Sequence, residues 1–393
     1  MKVVIVCPGW PGKVNKWHGI FVKEQALNLV DQGMDVSVVT ARIFREDPVF
    51  VQEGPLKVYR FRFPTEQKIL AEYEYIPVIR MCFYVASAIL KVWRVARRDR
   101  VDLIHAHWAI PTGFPSVIAG MLVRRPVVLT AHDKDISTMA DANRAVRMLI
   151  HYTLRRVSRI IAVTETVRQE IIKRFPDVDT DKIDVIPLGI DHDLFIPMPR
   201  REARQALDLP QDKKILLFVG GLLEIKGIMV LMEAAPHILP NHPEARLIII
   251  GDGPLRGEIE AIIKQHKLEK QISLLGPKPH EELPQWMAAA DAFVLPHLPS
   301  QGLGMVSAEA LAMRLPVIVS NVAGFPEVIT DGYNGLLIET GRTEAVVEAV
   351  EKILTDKKLL DDMQKNAKLD PVYDLKVTAE RVKALYGKVL GSG

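Results

Sequence analysis

Cysteine is scarce. Among 393 residues only Cys7 and Cys82 occur, far apart and with no metal-ligand spacing around them. That excludes a disulfide framework and a thiolate cluster, and it fits a reducing cytoplasm. Long hydrophobic runs are missing too. The longest, MCFYVASAIL at 81–90, is closely bracketed by Arg80 and Lys91. It is far short of the ~20 residues that a spanning helix needs, so no transmembrane segment is expected. The apolar opening VVIVC runs straight into Pro8 and Gly9, which reads as a first strand and not as a secretory core. A strong net charge is also lacking, at +3 overall. The balance is uneven, however: residues 1–190 sum to +8 and the remainder to −5. A basic first half and an acidic second half are expected to meet different ligands. No nucleic-acid partner is expected.

What is present is alternation. KVVIVC, DVSVVT, DLIHAH, PVVLTA and RIIAVT read as strands, separated by amphipathic stretches such as GIFVKEQALNLVDQG. The strands are nearly continuous apolar runs, as expected where helices cover both faces of a parallel sheet. Proline and glycine punctuate residues 183–199, where a linker is expected. Alternation then restarts with KILLFVGG, RLIIIGDG, QISLLG, DAFVLP, PVIVS and GLLI. A length beyond one ordinary core and two such series predict an α/β protein of two Rossmann-like, doubly wound parallel-sheet domains facing across a cleft. The expected boundaries are 1–190, 191–372 and a C-terminal helix over 373–393. That helix either packs back on the first domain or completes the second.

In such sheets ligands bind beyond the carboxyl ends of the strands, so the loops there are the places to look. In SQGLGMVSAEALAM, Gly302 and Gly304 leave a helix start bare, and Glu309 follows about a turn and a half later. Unpaired amides and the helix dipole suit a phosphate, while a carboxylate suits a sugar diol. A glutamate paired to a nearby Lys or Arg is the plainer alternative. In GGLLEIKG, Lys226 can reach a diphosphate or be a solvated surface lysine. GDGPLRG, at 251–257, carries G-x-G without the full dinucleotide fingerprint and reads best as a tight turn. The loop CPGWPGKVNKWHG is long for a strand-to-helix connector, and offers Trp10, Lys13, Lys16 and Trp17 before Gly19. HAHW places His107 at a strand end as a hydrogen-bond or proton group, whereas His105 reads as a satisfied interior residue. HDKD adds another His and two Asp. No metal site is expected, because HAHW has no third ligand nearby. Lys91, Arg94, Arg97, Arg98 and Arg100 form a basic face that suits either a helix C-terminus or an anionic membrane.

Taken in order, these segments resemble the GT-B-fold glycosyltransferases, in particular the retaining family 4. The resemblance covers almost the whole chain, from the glycine loop ending at Gly19 through HAHW, TAHDKD, IPLGID, FVGGLLEIKG, IIIGDGP and GMVSAEALAM to GFPEVITDGYNGLL. It implies a retaining, metal-independent hexosyl transfer from a nucleotide-sugar, such as a UDP- or GDP-sugar, to a saccharide, lipid-linked saccharide or polyol. No cofactor is implied. Lys226 would bind the donor diphosphate, and the amides near Gly304, Met305 and Val306 would cradle it. Glu309 would accept from the ribose hydroxyls, with Gln301 and Gly302 beside it. His107 would lie near donor sugar and acceptor hydroxyl, and Asp133 and Gly19 would line the cleft. The setting is cytoplasmic, with peripheral contact at the inner membrane face as an option.

Two positions depart from the family pattern. The E-x7-E motif reads Gln301-x7-Glu309, and the arginine of its G-R-L segment is Gly221. Arg314 is a milder departure, where small residues are usual. These changes keep open a catalytically weakened nucleotide-sugar binder or partner subunit, or an epimerase on the same fold. A nicotinamide-dependent oxidoreductase is disfavoured by the incomplete glycine fingerprint.

Overall fold

The computed structural model describes residues 1–68, 78–298 and 304–391. It divides into two compact units: Met1–Gly189 with Val372–Gly393, and Ile190–Pro371.

Among the described residues the first unit builds an eight-stranded sheet: β1 (Lys2–Cys7), β2 (Asp35–Ala41), β3 (Phe50–Glu53), β4 (Leu56–Phe61), β5 (Leu103–His107), β6 (Val127–Ala131), β7 (Arg159–Ala162) and β8 (Ile183–Val185). Their order is β3-β4-β2-β1-β5-β6-β7-β8. Every pairing is parallel except β3 with β4. Successive residues of β1 feed opposite cores. Val4 and Val6 join the helix Val78–Asp99 on one face, and Val3, Ile5 and Cys7 join the helix Ile20–Asp31 on the other. That two-sided burial is why the strand reads as an unbroken apolar run.

The helix Leu375–Leu390 belongs to this first unit. Asp374 caps it, accepting from the amides of Lys376 (2.7 Å) and Val377 (3.3 Å). Its Ala379, Val382, Leu385 and Tyr386 lie in the same core as Val22, Ala26 and Leu29.

The second unit carries β9 (Lys214–Val219), β10 (Ala245–Ile250), β11 (Ile272–Gly276), β12 (Ala292–Leu295), β13 (Val317–Ser320) and β14 (Gly335–Ile338), in the order β11-β10-β9-β12-β13-β14. All its pairings are parallel. In each unit the winding reverses beside the first strand, between β1 and β5 and between β9 and β12. Those two switch points are where an open α/β sheet offers its ligand crevice.

Two differences from the sequence reading stand out. The hairpin of β3 and β4 carries Lys57 and Arg60 within a strand, which hid it, yet Arg60 is only 2% exposed. The expected linker over 183–199 begins with β8, a three-residue edge strand too short to leave a pattern. No helix among the described residues is long and apolar enough to cross a membrane.

Candidate functional site

In the first unit, β1 delivers the loop of residues 8–19 to the switch point. Its length suggests freedom, but it is pinned. Arg60 donates to the carbonyl of Pro11 (3.0 Å), and the Lys13 amide donates to Asp47 (2.8 Å). Trp10 is buried and donates to Glu53 (3.3 Å), so it is a packing residue; Trp17 is the exposed indole. Gly19 opens the following helix at φ 79°, where a Cβ would sit 2.4 Å from the carbonyl oxygen of Gly9. Only glycine satisfies both conditions.

On the neighbouring strand, His105 and His107 point to one face. His105 is fully satisfied: Nε2 meets the Thr130 hydroxyl at 2.7 Å, and Nδ1 meets the Tyr386 hydroxyl from the C-terminal helix at 2.6 Å. His107 ends β5 fully buried. Its Nδ1 lies 3.0 Å from Nε2 of His132, and its own Nε2 has no partner among the described residues. His132 stacks between His107 and Trp108, at ring distances of 5.2 and 4.1 Å, and is only partly buried. The imidazole that reaches the surface of this edge is therefore His132, with His107 behind it. Burial lowers both His105 and His132 to about 3, and lowers His107 well below its ordinary value, with neighbouring imidazoles adding to the effect. All three rings are neutral at ordinary pH.

Asp133 stands just past β6 at φ 88°, and burial raises its carboxyl. Its main-chain carbonyl accepts from Ile136 and Ser137 and starts the next turn. The carboxylate that fixes the histidine pair is Asp135. It accepts from the amides of Ala109 (2.6 Å) and His132 (3.0 Å), joining the loops after β5 and β6. It is fully buried, and desolvation raises it to about 7 despite those bonds.

In the second unit, β9 leads to Lys226 and Gly227. Gly227 has φ 68°, and a Cβ there would lie 1.7 Å from the Pro296 carbonyl oxygen. This close approach brings the loop after β9 against the loop after β12. Across it, Lys226 Nζ lies 3.4 Å from Nε2 of the buried His297. His297 Nδ1 is 2.8 Å from the Leu298 carbonyl, which can only accept; in the neutral ring this leaves Nε2 to receive the ammonium proton.

Gly304 opens the helix Met305–Ala312 with no side-chain cap. Glu309 lies on its buried face. His280 Nε2 donates to Glu309 Oε1 at 3.0 Å, while Glu309 Oε2 is buried with no partner among the described residues. Ser307 Oγ, in the first turn, is likewise buried and unpartnered. A buried carboxylate oxygen without a donor is costly unless a ligand supplies one. The pairing of Glu309 with Lys or Arg that the sequence left open is not observed among the described residues. Gln301 and Gly302 lie outside the described residues. The structure thus brings Lys226 together with His297, and Glu309 with His280. Sequence reasoning missed both histidines. His297 could have been found by its place two residues past a strand; His280 is 29 residues from Glu309 and left no local signal.

The comparisons with known proteins identify the family. The family model for glycosyl transferases group 1 matches residues 199–370, and the model for a glycosyl transferase 4-like domain matches residues 18–189. The chain is 30% identical to TuaC of Bacillus subtilis, named as a teichuronic acid biosynthesis glycosyltransferase, over 90% of this chain and 89% of that one. This chain belongs to the group 1 glycosyl transferases. Across the family it is also 24% identical to the N-acetyl-alpha-D-glucosaminyl L-malate synthase of Bacillus anthracis, covering 98% of this chain and 95% of that one. Its fold matches that of two solved structures. The sucrose-phosphate synthase of Thermosynechococcus elongatus gives a TM-score of 0.82 at 22% identity, over 100% of both chains. Anabaena HepE in complex with UDP gives 0.77 at 19%, over 99% and 100%. Against the pattern of this glycosyltransferase family, the missing arginine at Gly221 is not a steric necessity. A Cβ there would meet nothing nearer than 3.5 Å. Arg256, at the start of the helix after β10, is engaged with Glu260 at 2.9 Å and Asp252 at 4.0 Å.

Proposed function

We propose that this glycosyltransferase moves a hexose from a nucleotide-diphosphate sugar to an acceptor hydroxyl with retention, and without a metal ion. The observation that carries the reading is Glu309: a buried carboxylate with one oxygen held by His280 and the other unpartnered among the described residues, on a helix whose start is bare. Oε2 would accept from a ribose hydroxyl, and the amides around Gly304, Met305 and Val306 would face the diphosphate. Lys226 supplies the positive charge that a metal would otherwise bring. HepE, solved with UDP, is a fold neighbour that makes UDP a first donor base to try.

In the reaction the acceptor O–H attacks the anomeric carbon, and the bond from that carbon to the diphosphate oxygen breaks. The acceptor proton passes to the leaving phosphate, giving a glycoside and a nucleoside diphosphate. Neutral His132, backed by His107, is suited to hydrogen-bond sugar or acceptor hydroxyls, and Asp133 and Gly19 border the same edge. The acceptor is a saccharide, a lipid-linked saccharide or a polyol. The setting is cytoplasmic, with peripheral contact at an anionic membrane face through Lys91, Arg94 and Arg97.

The test is thermal stabilisation by UDP, GDP and ADP and their sugars in the presence of a chelator, since a ligand of the folded state raises the midpoint. One base should stabilise selectively, and Lys226→Ala and Glu309→Ala should abolish the shift. If no nucleotide shifts the wild type, the partner-subunit reading takes over. The anomeric coupling of the product, read by NMR, decides retention.

A further inference from the structure

The first unit holds a second polar feature, away from the histidines. β2 and β4 are adjacent and parallel, and each is followed directly by an arginine, Arg42 and Arg62. With Arg45 and Arg80 they line a cavity of about 370 Å³, floored by Phe44 and Phe63. Arg42 is braced by the main-chain carbonyls of Asp47 (2.6 Å) and Arg45, and Arg80 pairs with Glu66. The guanidinium groups of Arg45 and Arg62 make no hydrogen bond or ion pair among the described residues. The positive field extends beyond the cavity. The Lys91 ammonium is pushed down first by burial, then by Arg94, Arg98 and Arg62.

Four arginines line the cavity, and among its described lining residues there is no carboxylate. Guanidinium groups with unspent donors suit phosphate oxygens, which they bind in bidentate fashion. We propose that this cavity binds a phosphate or diphosphate ester carried by the acceptor. The inference rests on the reading of the first unit as the acceptor-binding half. It also sets a length. The cavity lies at the carboxyl ends of β4 and β2, and His107 and His132 lie at the carboxyl ends of β5 and β6, on the same edge. Three strand spacings separate the two, roughly 14 Å. That exceeds one hexose ring. The reacting hydroxyl and the anion therefore sit at opposite ends of an extended acceptor. Ile79 and Phe83 are exposed beside Arg80 on the helix Val78–Asp99, which accommodates an acyl or isoprenoid chain at the phosphate end.

The test uses the full chain with its donor site saturated by the nucleotide diphosphate that stabilises it. Inorganic pyrophosphate is titrated against wild type, Arg45→Ala/Arg62→Ala and Lys226→Ala. The double variant should lose pyrophosphate affinity by roughly 10- to 100-fold, in keeping with two charge-assisted contacts, while its nucleotide binding stays as in wild type. Arg45→Lys/Arg62→Lys, which keeps the charge, should recover part of the loss. Sedimentation with phosphatidylcholine vesicles carrying a polyprenyl phosphate then separates the sources. Retention that requires Arg45, Arg62, Ile79 and Phe83 places the ester on a lipid. Pyrophosphate binding without vesicle retention places it on a soluble acceptor. Either supports the site. Unchanged pyrophosphate affinity in the double variant overturns it, even where Lys226→Ala still weakens nucleotide binding and the donor reading stands.

Discussion

The two units carry their candidate site residues at the same end of their sheets and dress it in opposite ways. At the first switch point the imidazoles are neutral: His105 and His107 buried and His132 partly so, bound to Thr130, Tyr386 and each other, none charged at ordinary pH. At the second they are ionic: a lysine reaching toward His297, and a glutamate half-satisfied by His280. The division matches the chemistry of glycosyl transfer. A leaving diphosphate needs fixed charge, whereas an acceptor hydroxyl needs hydrogen bonds that neither desolvate an ion nor strip a proton early.

The largest expected effect separates turnover from binding. His132→Ala should lower kcat by about 10²- to 10⁴-fold, the usual span for a positioned acid, base or hydrogen-bond group, with nucleotide affinity within a factor of two or so of wild type. Lys226→Ala should instead weaken nucleotide diphosphate binding by roughly 10- to 100-fold. Calorimetry on both variants checks the pair of statements. If His132→Ala lost nucleotide affinity as severely as Lys226→Ala, the contrast between the units would fail.

Acid should distinguish the units next. Burial holds His18 at about 4, His105 and His132 at about 3, and His107 well below its ordinary value, against an unfolded value near 6.5. Between those values the unfolded chain binds more protons than the folded one. The histidine contribution to first-unit stability is therefore full above pH 6.5 and falls as pH drops toward 4; Asp135, raised to about 7, and Asp133 run the other way, but four histidines outnumber them. Each histidine contributes a slope of up to about 1.4 kcal/mol per pH unit. In the second unit His242 runs the other way. Burial opposes its charge, but Glu351 at 2.7 Å and Glu244 at 3.1 Å outweigh it, so its pKa is raised. Its contribution is present below the unfolded value and is lost as pH rises through the folded one. Hydrogen exchange at pH 7.5 and 5.0, corrected for intrinsic rates, should show β5 and β6 losing protection well before β9 and β12. Parallel losses in both units would count against it.

A smaller effect concerns the clamp. Asp135→Ala removes the acceptor of two buried amides and should destabilise the first unit by about 1–3 kcal/mol. Denaturant midpoints would show this. Asp133→Ala should cost less, because the Asp133 carbonyl, which the substitution keeps, is what starts the turn. Equal losses would mean that Asp135 has no special part in joining the two loops.

The sequence disclosed the strands that are buried on both faces, because burial on two sides writes a run that needs no context. It pointed to Lys226, Glu309 and Gly19 as candidates because glycine and charge at a strand-to-helix turn have few other uses. It did not disclose what those residues touch. His280 meets Glu309, and Tyr386 meets His105 from 281 residues away, through packing that no local spacing encodes. Nor did it separate His107 from His132. Both follow apolar strands, and only the fold decides which ring lies behind the other. The arginine cavity was hidden for a similar reason: Arg42 and Arg62 are distant in sequence and become neighbours only because β2 pairs with β4.

The finest probe of the ionic edge adds a charge to it. Gly221 follows β9 with room for a Cβ, and its φ is not among the positive ones. Gly221→Arg should therefore fold without strain and place a guanidinium in the loop that carries Lys226. If that loop binds the diphosphate, the variant should bind the nucleotide diphosphate several-fold more tightly, in keeping with a partly exposed ion pair of about 1 kcal/mol, and should do so less at high salt. Turnover should rise less than affinity if the added charge grips substrate and transition state alike. A variant that folds as wild type but binds no better, at low salt and with the preferred base, would mean that this loop does not face the diphosphate. The assignment of Lys226 would then need another ligand.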